Sequence, residues 1–137
     1  MKKGGGKGKG TMAERKVAVM LSEWWFGGKG YLWRKPGNEV RNYERFPHSG
    51  DIVPTLATGF TDEKWQWPFH VEVKSWGKGK LKLWNLLDKP DKAPIIRIWN
   101  KATRKKRKDL KVMLVLRENA HDWLVFMTRD RGNYISE

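Results

Sequence analysis

The sequence predicts an α/β protein with a mixed central sheet flanked by helices, in the order helix, three strands, two helices, two strands. Three stretches predict it. Phe69, Val71 and Val73 alternate with His70, Glu72 and Lys74, the period of a strand with two unlike faces. Residues 111–116 run almost continuously apolar after Lys111, the pattern of a strand buried on both sides. Val17, Met20, Leu21 and Trp24 recur at the spacing of one helical stripe.

The chain has 137 residues, enough for one core and too few for two. Residues 1–11 open on Met, Lys and Gly only and predict a flexible basic tail, with Met12 an alternative start. The tail does not satisfy the G-x-x-x-x-G-K-[ST] phosphate loop, and no strand precedes it. Residues 12–128 are expected to form the single domain, and residues 129–137 a frayed end. Thr11 is a fair helix cap with Glu14 as its capping-box partner, and Gly27 and Gly28 stop the helix. Tyr31 to Arg34 predicts the first strand. Residues 36–47 read as a polar loop in which Arg41 and Arg45 face a phosphate backbone. A second strand begins at Asp51, with Pro54 placing it at an edge or bulge, and joins the Phe69 strand as an antiparallel hairpin. Gly77-Lys78-Gly79-Lys80 is a basic hinge. Leu81, Leu83, Trp84, Leu86 and Leu87 predict a short helix ended by Pro90. Pro94 opens the next helix, whose apolar face is Ile95, Ile98, Trp99 and Ala102. Asn119 and Ala120 turn the chain into a last strand, Trp123 to Met127.

Lys plus Arg number 29 against 15 Asp plus Glu, a formal +14, so the expected partner is a polyanion. No apolar run reaches the roughly 18–20 residues that span a bilayer, so a membrane partner is not expected. No apolar segment follows the basic N-terminus, which therefore does not read as a secretory signal. The absence of Cys excludes disulfides, zinc–thiolate sites and thiol nucleophiles. It fits a reducing compartment, and a cytoplasmic location is expected. No small-molecule cofactor is expected.

Glu14, Asp51, Glu72 and Lys74 all stand at the ends of elements. Mg²⁺-type ions take oxygen ligands from a few carboxylates and leave the other positions to water and phosphate. Asp51 and Glu72, with the backbone carbonyl of Val73 between Glu72 and Lys74, suit such an ion, Mg²⁺ or Mn²⁺. Glu14 would reach a second ion from the helix. Lys74 would orient or deprotonate the attacking water, or offset charge on the phosphate. Each residue also has a plainer reading. Glu72 and Lys74 suit a solvated surface pair, Asp51 a turn cap, Glu14 a helix cap, and Arg104 to Lys108 a solvated face. His48 and His70 read as packed or solvated bystanders, and His121 as a turn residue. Trp65, Trp67 and Trp76, in loops near the acids, are the tryptophans whose stacking on bases merits a test.

Asp51 followed by Glu72-x-Lys74 on the next strand, with Glu14 on a preceding helix, resembles the PD-(D/E)xK nuclease superfamily. It is most similar to archaeal Holliday-junction resolvases and related viral and phage nucleases. Leu21-Ser22-Glu23-Trp24-Trp25 and Trp33-Arg34 look like a phage-borne subgroup. Gly50 stands where the signature has its proline, and the interval from Asp51 to Glu72 is long. The resemblance implies a restriction-endonuclease-like core and metal-dependent endonucleolytic cleavage of DNA, branched or otherwise structured, by a homodimer in the host cytoplasm. Asp51, Glu72, Lys74 and Glu14 would be the catalytic set, with Asp51, Glu72, Val73 and Glu14 on metal. Lys78, Lys80, Arg104, Lys105, Lys106, Arg107, Lys108, Arg41 and Arg45 would hold DNA. Two rivals share the charge. A non-catalytic basic binding module predicts metal-independent binding and tolerance of Asp51→Asn, and an RNA-processing protein would look equally basic.

Overall fold

The computed structural model describes residues 5–35, 49–55 and 67–128, with side chains from Gly10 onward. Arg41, Arg45, His48 and Trp65 lie outside the described residues, as do residues 129–137. The elements are helix α1 (Gly5–Phe26), strands β1 (Leu32–Arg34), β2 (Ile52–Pro54) and β3 (Phe69–Trp76), helices α2 (Asn85–Asp88) and α3 (Pro94–Lys105), and strands β4 (Lys111–Glu118) and β5 (Leu124–Met127). A single 3₁₀ turn, Pro90–Lys92, links α2 to α3. The mixed α/β architecture with helices on both sides of the sheet is the one expected from the sequence.

β4 is the centre. It pairs parallel with β3, Glu72 opposite Leu114, and antiparallel with β5, Val115 opposite Val125. Its side chains alternate between two cores. Met113 and Val115 join Val17, Leu21, Val71 and Val73 beneath α1. Val112, Leu114 and Leu116 join Leu81, Ile95 and Ala102 beneath α3. Each fully buried aliphatic side chain is worth roughly 1.5–3 kcal/mol, so this one strand stitches both layers together.

The first helix differs from expectation at its start and on its buried side. It begins at Gly5 rather than at a Thr11 cap. Once the turns at Ala13 and Val17 are anchored in the core, each further residue adds a hydrogen bond without a new nucleation cost. Val17 and Leu21 are buried as predicted, but Met20 is partly exposed and Trp24 is 57 % exposed. The buried side runs instead through Ala13, Ala18 and Ser22, small residues that let α1 lie close. The Ser22 hydroxyl oxygen accepts from the Leu32 N–H at 2.9 Å, tying the helix to β1. Gly27, at φ +78°, ends the helix with its N–H on the Glu23 carbonyl, as expected of a glycine stop.

β2 pairs antiparallel with β1, Trp33 opposite Val53. It does not form an antiparallel hairpin with β3. A single parallel bridge joins Gly50 to Val71, and the Asp51 N–H donates to the Val71 carbonyl at 2.6 Å. Residues 55–68 connect the two strands, and a parallel crossover needs about a dozen or more residues. The antiparallel expectation therefore fails where the connection is long enough to cross over.

The segment after β3 also departs from expectation. Of the predicted Leu81–Leu87 helix only Asn85–Asp88 is helical. Leu81 is buried and Leu86 packs on the α3 side, while Leu83, Trp84 and Leu87 point outward. Trp67 is core, 3 % exposed, with Phe69 and Trp25 edge-on at ring-centroid distances of 5.0 and 5.8 Å. Its predicted availability for base stacking is corrected by that packing. Trp76 packs partly buried on the α3 side.

Candidate active site

The polar face of β3 lies on the α3 side of the sheet. Because every second residue shares a face, His70, Glu72 and Lys74 follow one another along it. Exposure rises along the row: His70 is 2 % exposed, Glu72 half-buried and Lys74 exposed. The row runs from the interior out to solvent.

Gly50 brings Asp51 to this row. Its φ is +99°, and a Cβ there would lie 2.7 Å from the Val71 nitrogen and 2.8 Å from the Val71 oxygen. No L-residue fits so close an approach, and proline, fixed near φ −65°, fits least. The departure of Gly50 from the proline of the signature thus follows from how tightly this turn abuts β3. The turn sets Asp51 Oδ2 to accept the Val73 N–H at 2.8 Å and places the Asp51 carboxyl in hydrogen-bond contact with that of Glu72.

Two carboxyls in contact cannot both ionise freely. Burial, then the Glu72 charge, push Asp51 up to about 7, against the Val73 N–H; Glu14 and the shared hydrogen bond raise it further. Burial also works to raise Glu72, but the His70 hydrogen bond and charge, the Asp51 hydrogen bond and Lys105 together hold it below its usual range. The two environments push the acids apart, Asp51 up and Glu72 down.

Behind Glu72 runs a hydrogen-bonded chain. His70 Nε2 contacts Glu72 Oε1 at 2.9 Å, and His70 Nδ1 contacts Ser49 Oγ at 2.7 Å. Ser49 Oγ also accepts the Arg107 N–H at 2.9 Å. The ring thus bridges Ser49 and the Glu72 carboxylate. His70 is packed, as one of its expected readings has it, and is also in contact with Glu72. No spacing in the sequence signals this chain, because Ser49 and Arg107 meet His70 only through the fold.

Glu14 and Lys74 line one cleft of about 510 Å³ with Val73 and Trp76. Glu14 is paired with Arg34, Nε to Oε2 3.1 Å, and because α1 begins at Gly5 it stands inside the helix rather than in its first turn. Its charge reaches Asp51, but among the described residues no three acids or histidines are grouped to hold a metal ion. The sequence predicts four converging groups. The structure brings Asp51 and Glu72 into contact and leaves Glu14 and Lys74 at the adjoining cleft.

The basic run divides. Arg104 and Lys105 close α3, with Lys105 near enough to Glu72 to lower it. Arg107 forks onto Asp109, Nε to Oδ1 2.7 Å, so part of its charge is engaged. Lys106 Nζ donates to the Lys108 carbonyl at 3.3 Å. Lys78 and Lys80 are exposed on the turn after β3.

The donor chemistry fits a hard divalent cation. Two adjoining carboxyls present oxygen ligands, and a cation between them would relieve their repulsion. Among the described residues no helix is long and apolar enough to cross a membrane. No curated protein and no solved structure matches the chain at a significant level. A family described as "Phage putative PDDEXK endonuclease" matches residues 5–136, nearly the whole length and all of the elements above. With an acid ahead of β2, a Glu72-x-Lys74 strand beside it and a helix packed over both, the chain belongs to this phage PD-(D/E)xK endonuclease family.

Proposed function

We propose that this endonuclease hydrolyses phosphodiester bonds of branched or otherwise structured DNA with divalent metal, Mg²⁺ or Mn²⁺, by two-metal chemistry. The observation that carries the reading is the Asp51–Glu72 carboxyl contact with Lys74 two residues along the same face. Asp51, Glu72 and the Val73 carbonyl would hold the cation, with Glu14 reaching the second position. Bound there, the cation supplies Lewis-acid charge to the phosphate and a more acidic water.

The chain's own groups do the rest. His70, held by Ser49, keeps the Glu72 carboxylate turned toward Asp51. Lys74, at the solvent end of the row, orients the attacking water and offsets charge that develops on the phosphate oxygens. Lys78, Lys80, Lys105 and the rest of the run to Lys108 hold flanking phosphates, a contact that is blind to sequence. A homodimer would present two such sites to the two symmetric strands of a junction, in the cytoplasm of the host.

The test is cleavage of labelled four-way junction, flap, duplex and RNA substrates with Mg²⁺, Mn²⁺ or EDTA. The expected result is metal-dependent cutting of branched DNA. Glu72→Ala and Lys74→Ala lower it at least about a hundredfold and leave junction binding in EDTA intact. Unimpaired cutting by both variants removes the assignment of the site. Equal cutting of plain duplex removes the preference for branched DNA.

A further inference from the structure

The segment between β3 and α3 presents two features on one excursion. A cavity of about 520 Å³ is lined by Lys80, Lys82, Asn85, Lys89, Lys92 and Arg97, five cations and no carboxylate. Next to Asn85, Trp84 is 75 % exposed, and Leu87 one turn on is 74 % exposed. The excursion is not loose. Leu81 is buried, its N–H donates to Glu118 Oε1 at 3.1 Å, and Leu86 packs against the α3-side core. Its inner side is committed to the fold, and its outer side offers a flat aromatic ring beside a cationic cleft.

Trp84, Leu87 and Leu83 make an exposed apolar patch rimmed by cations, the make-up of an interaction site rather than of a lone surface residue. Charge decides what binds there. Residues 78–97 carry six Lys or Arg against Asp88 and Asp91. A second copy of this +14 chain would bring like charge against like at this face. A ligand that is both polyanionic and aromatic meets both features, and nucleic acid with unpaired bases is such a ligand. Paired bases keep their faces stacked inside the duplex, out of reach of a side chain.

We propose that Trp84 and the Lys80–Arg97 cleft form a platform for single-stranded DNA, an unpaired base stacking on Trp84 while the cations hold the phosphates on either side. The platform rests on the proposed DNA-cleaving function for the identity of its ligand and deepens it: the enzyme would select substrates with an unpaired arm. Trp84 touches no reacting group and is a specificity residue.

The test measures binding of the full chain to a fluorescein-labelled oligothymidylate and to a blunt duplex of equal length, in EDTA at fixed salt. Trp84→Ala is expected to weaken oligothymidylate binding between about fivefold and a hundredfold, and duplex binding by less than about twofold. Trp84→Phe restores most of the loss, and Lys89→Glu with Lys92→Glu weakens both ligands. Because Trp84 points outward, Trp84→Ala keeps the wild-type circular dichroism and melting temperature. Equal oligothymidylate affinity in wild type and Trp84→Ala, or an equal loss for both ligands, overturns the platform. So does a wild-type dimer that Trp84→Ala converts to monomer with oligothymidylate affinity unchanged. Trp84-dependent binding by a wild-type protein that cuts nothing with Mg²⁺ or Mn²⁺ supports the platform while removing the cleavage reading.

Discussion

The two faces of β3 are built from alternate residues of one eight-residue strand, yet they serve opposite ends. Phe69, Val71 and Val73 are sealed under α1, and nothing on that face varies with depth. His70, Glu72 and Lys74 run from interior to solvent, and their chemistry changes along the row. The difference teaches where a reactive pair can stand. Fully buried, Glu72 would be out of reach of the cation proposed for it; fully exposed, it would feel little from His70 or Asp51. It is held where burial is ending.

The strongest way to break this contrast is at Gly50, where the Asp51 turn meets β3. Gly50→Ala places a methyl against Val71 backbone at positive φ, so the turn must move. Stability is expected to fall by about 2–3 kcal/mol in urea melts. Metal-dependent cleavage is expected to be lost as Asp51 leaves Glu72. A variant with wild-type stability and cleavage would show that the close approach does not matter.

His70→Ala sharpens the contrast on the polar face alone. It removes the ring that bridges Ser49 and Glu72 and leaves Ser49 with Arg107 alone. Metal affinity or cleavage is expected to fall about 10- to 100-fold. The expected mark of a positioning role is that added Mn²⁺ recovers part of the loss. A change in stability with no change in metal dependence would return His70 to the packed core.

The smallest effect concerns the proton on the acid pair. Asp51 stands near 7 when folded and at the ordinary 3.8 when unfolded, so between those values the folded state binds more proton than the unfolded. Stability from this group is therefore full at low pH and is lost as pH rises through 7. Asp51→Asn is expected to raise stability in EDTA by on the order of 1 kcal/mol or more at pH 8, by less at pH 5, and to change it little below about pH 4. Cleavage by the wild type at limiting metal is expected to rise across the same window, as the cation displaces the proton. A stability difference independent of pH would contradict the upward shift of Asp51.

Much of the fold was legible because it is written in short-range periodicity. The alternation at Phe69–Ser75 marked β3 and its two faces. The run from Lys111 marked the doubly buried β4, and Pro94 marked the start of α3. A strand's period places Glu72 and Lys74 on one face, and the structure brings Asp51 to Glu72 through the turn at Gly50. Trp24 was misplaced because a stripe gives helical spacing but not which edge of it the sheet covers. The long connection before β3 carries no local sign of parallel or antiparallel pairing. Leu83, Trp84 and Leu87 look like core in any window, since apolarity does not say whether a neighbour exists.

The sequence by itself determined the α/β class, the central strands and the basic composition, and it singled out Asp51, Glu72 and Lys74 as candidates. All of these rest on residue type and on spacing within a few turns or pleats. Only the tertiary structure decided that Arg34 pairs with Glu14, that Arg107 bonds Ser49 and Ser49 bonds His70, and that the Asp51 and Glu72 carboxyls meet. It alone left Trp84 uncovered beside a cationic cleft. The physical reason is that each depends on distance and desolvation between groups far apart in the chain, which local pattern does not encode.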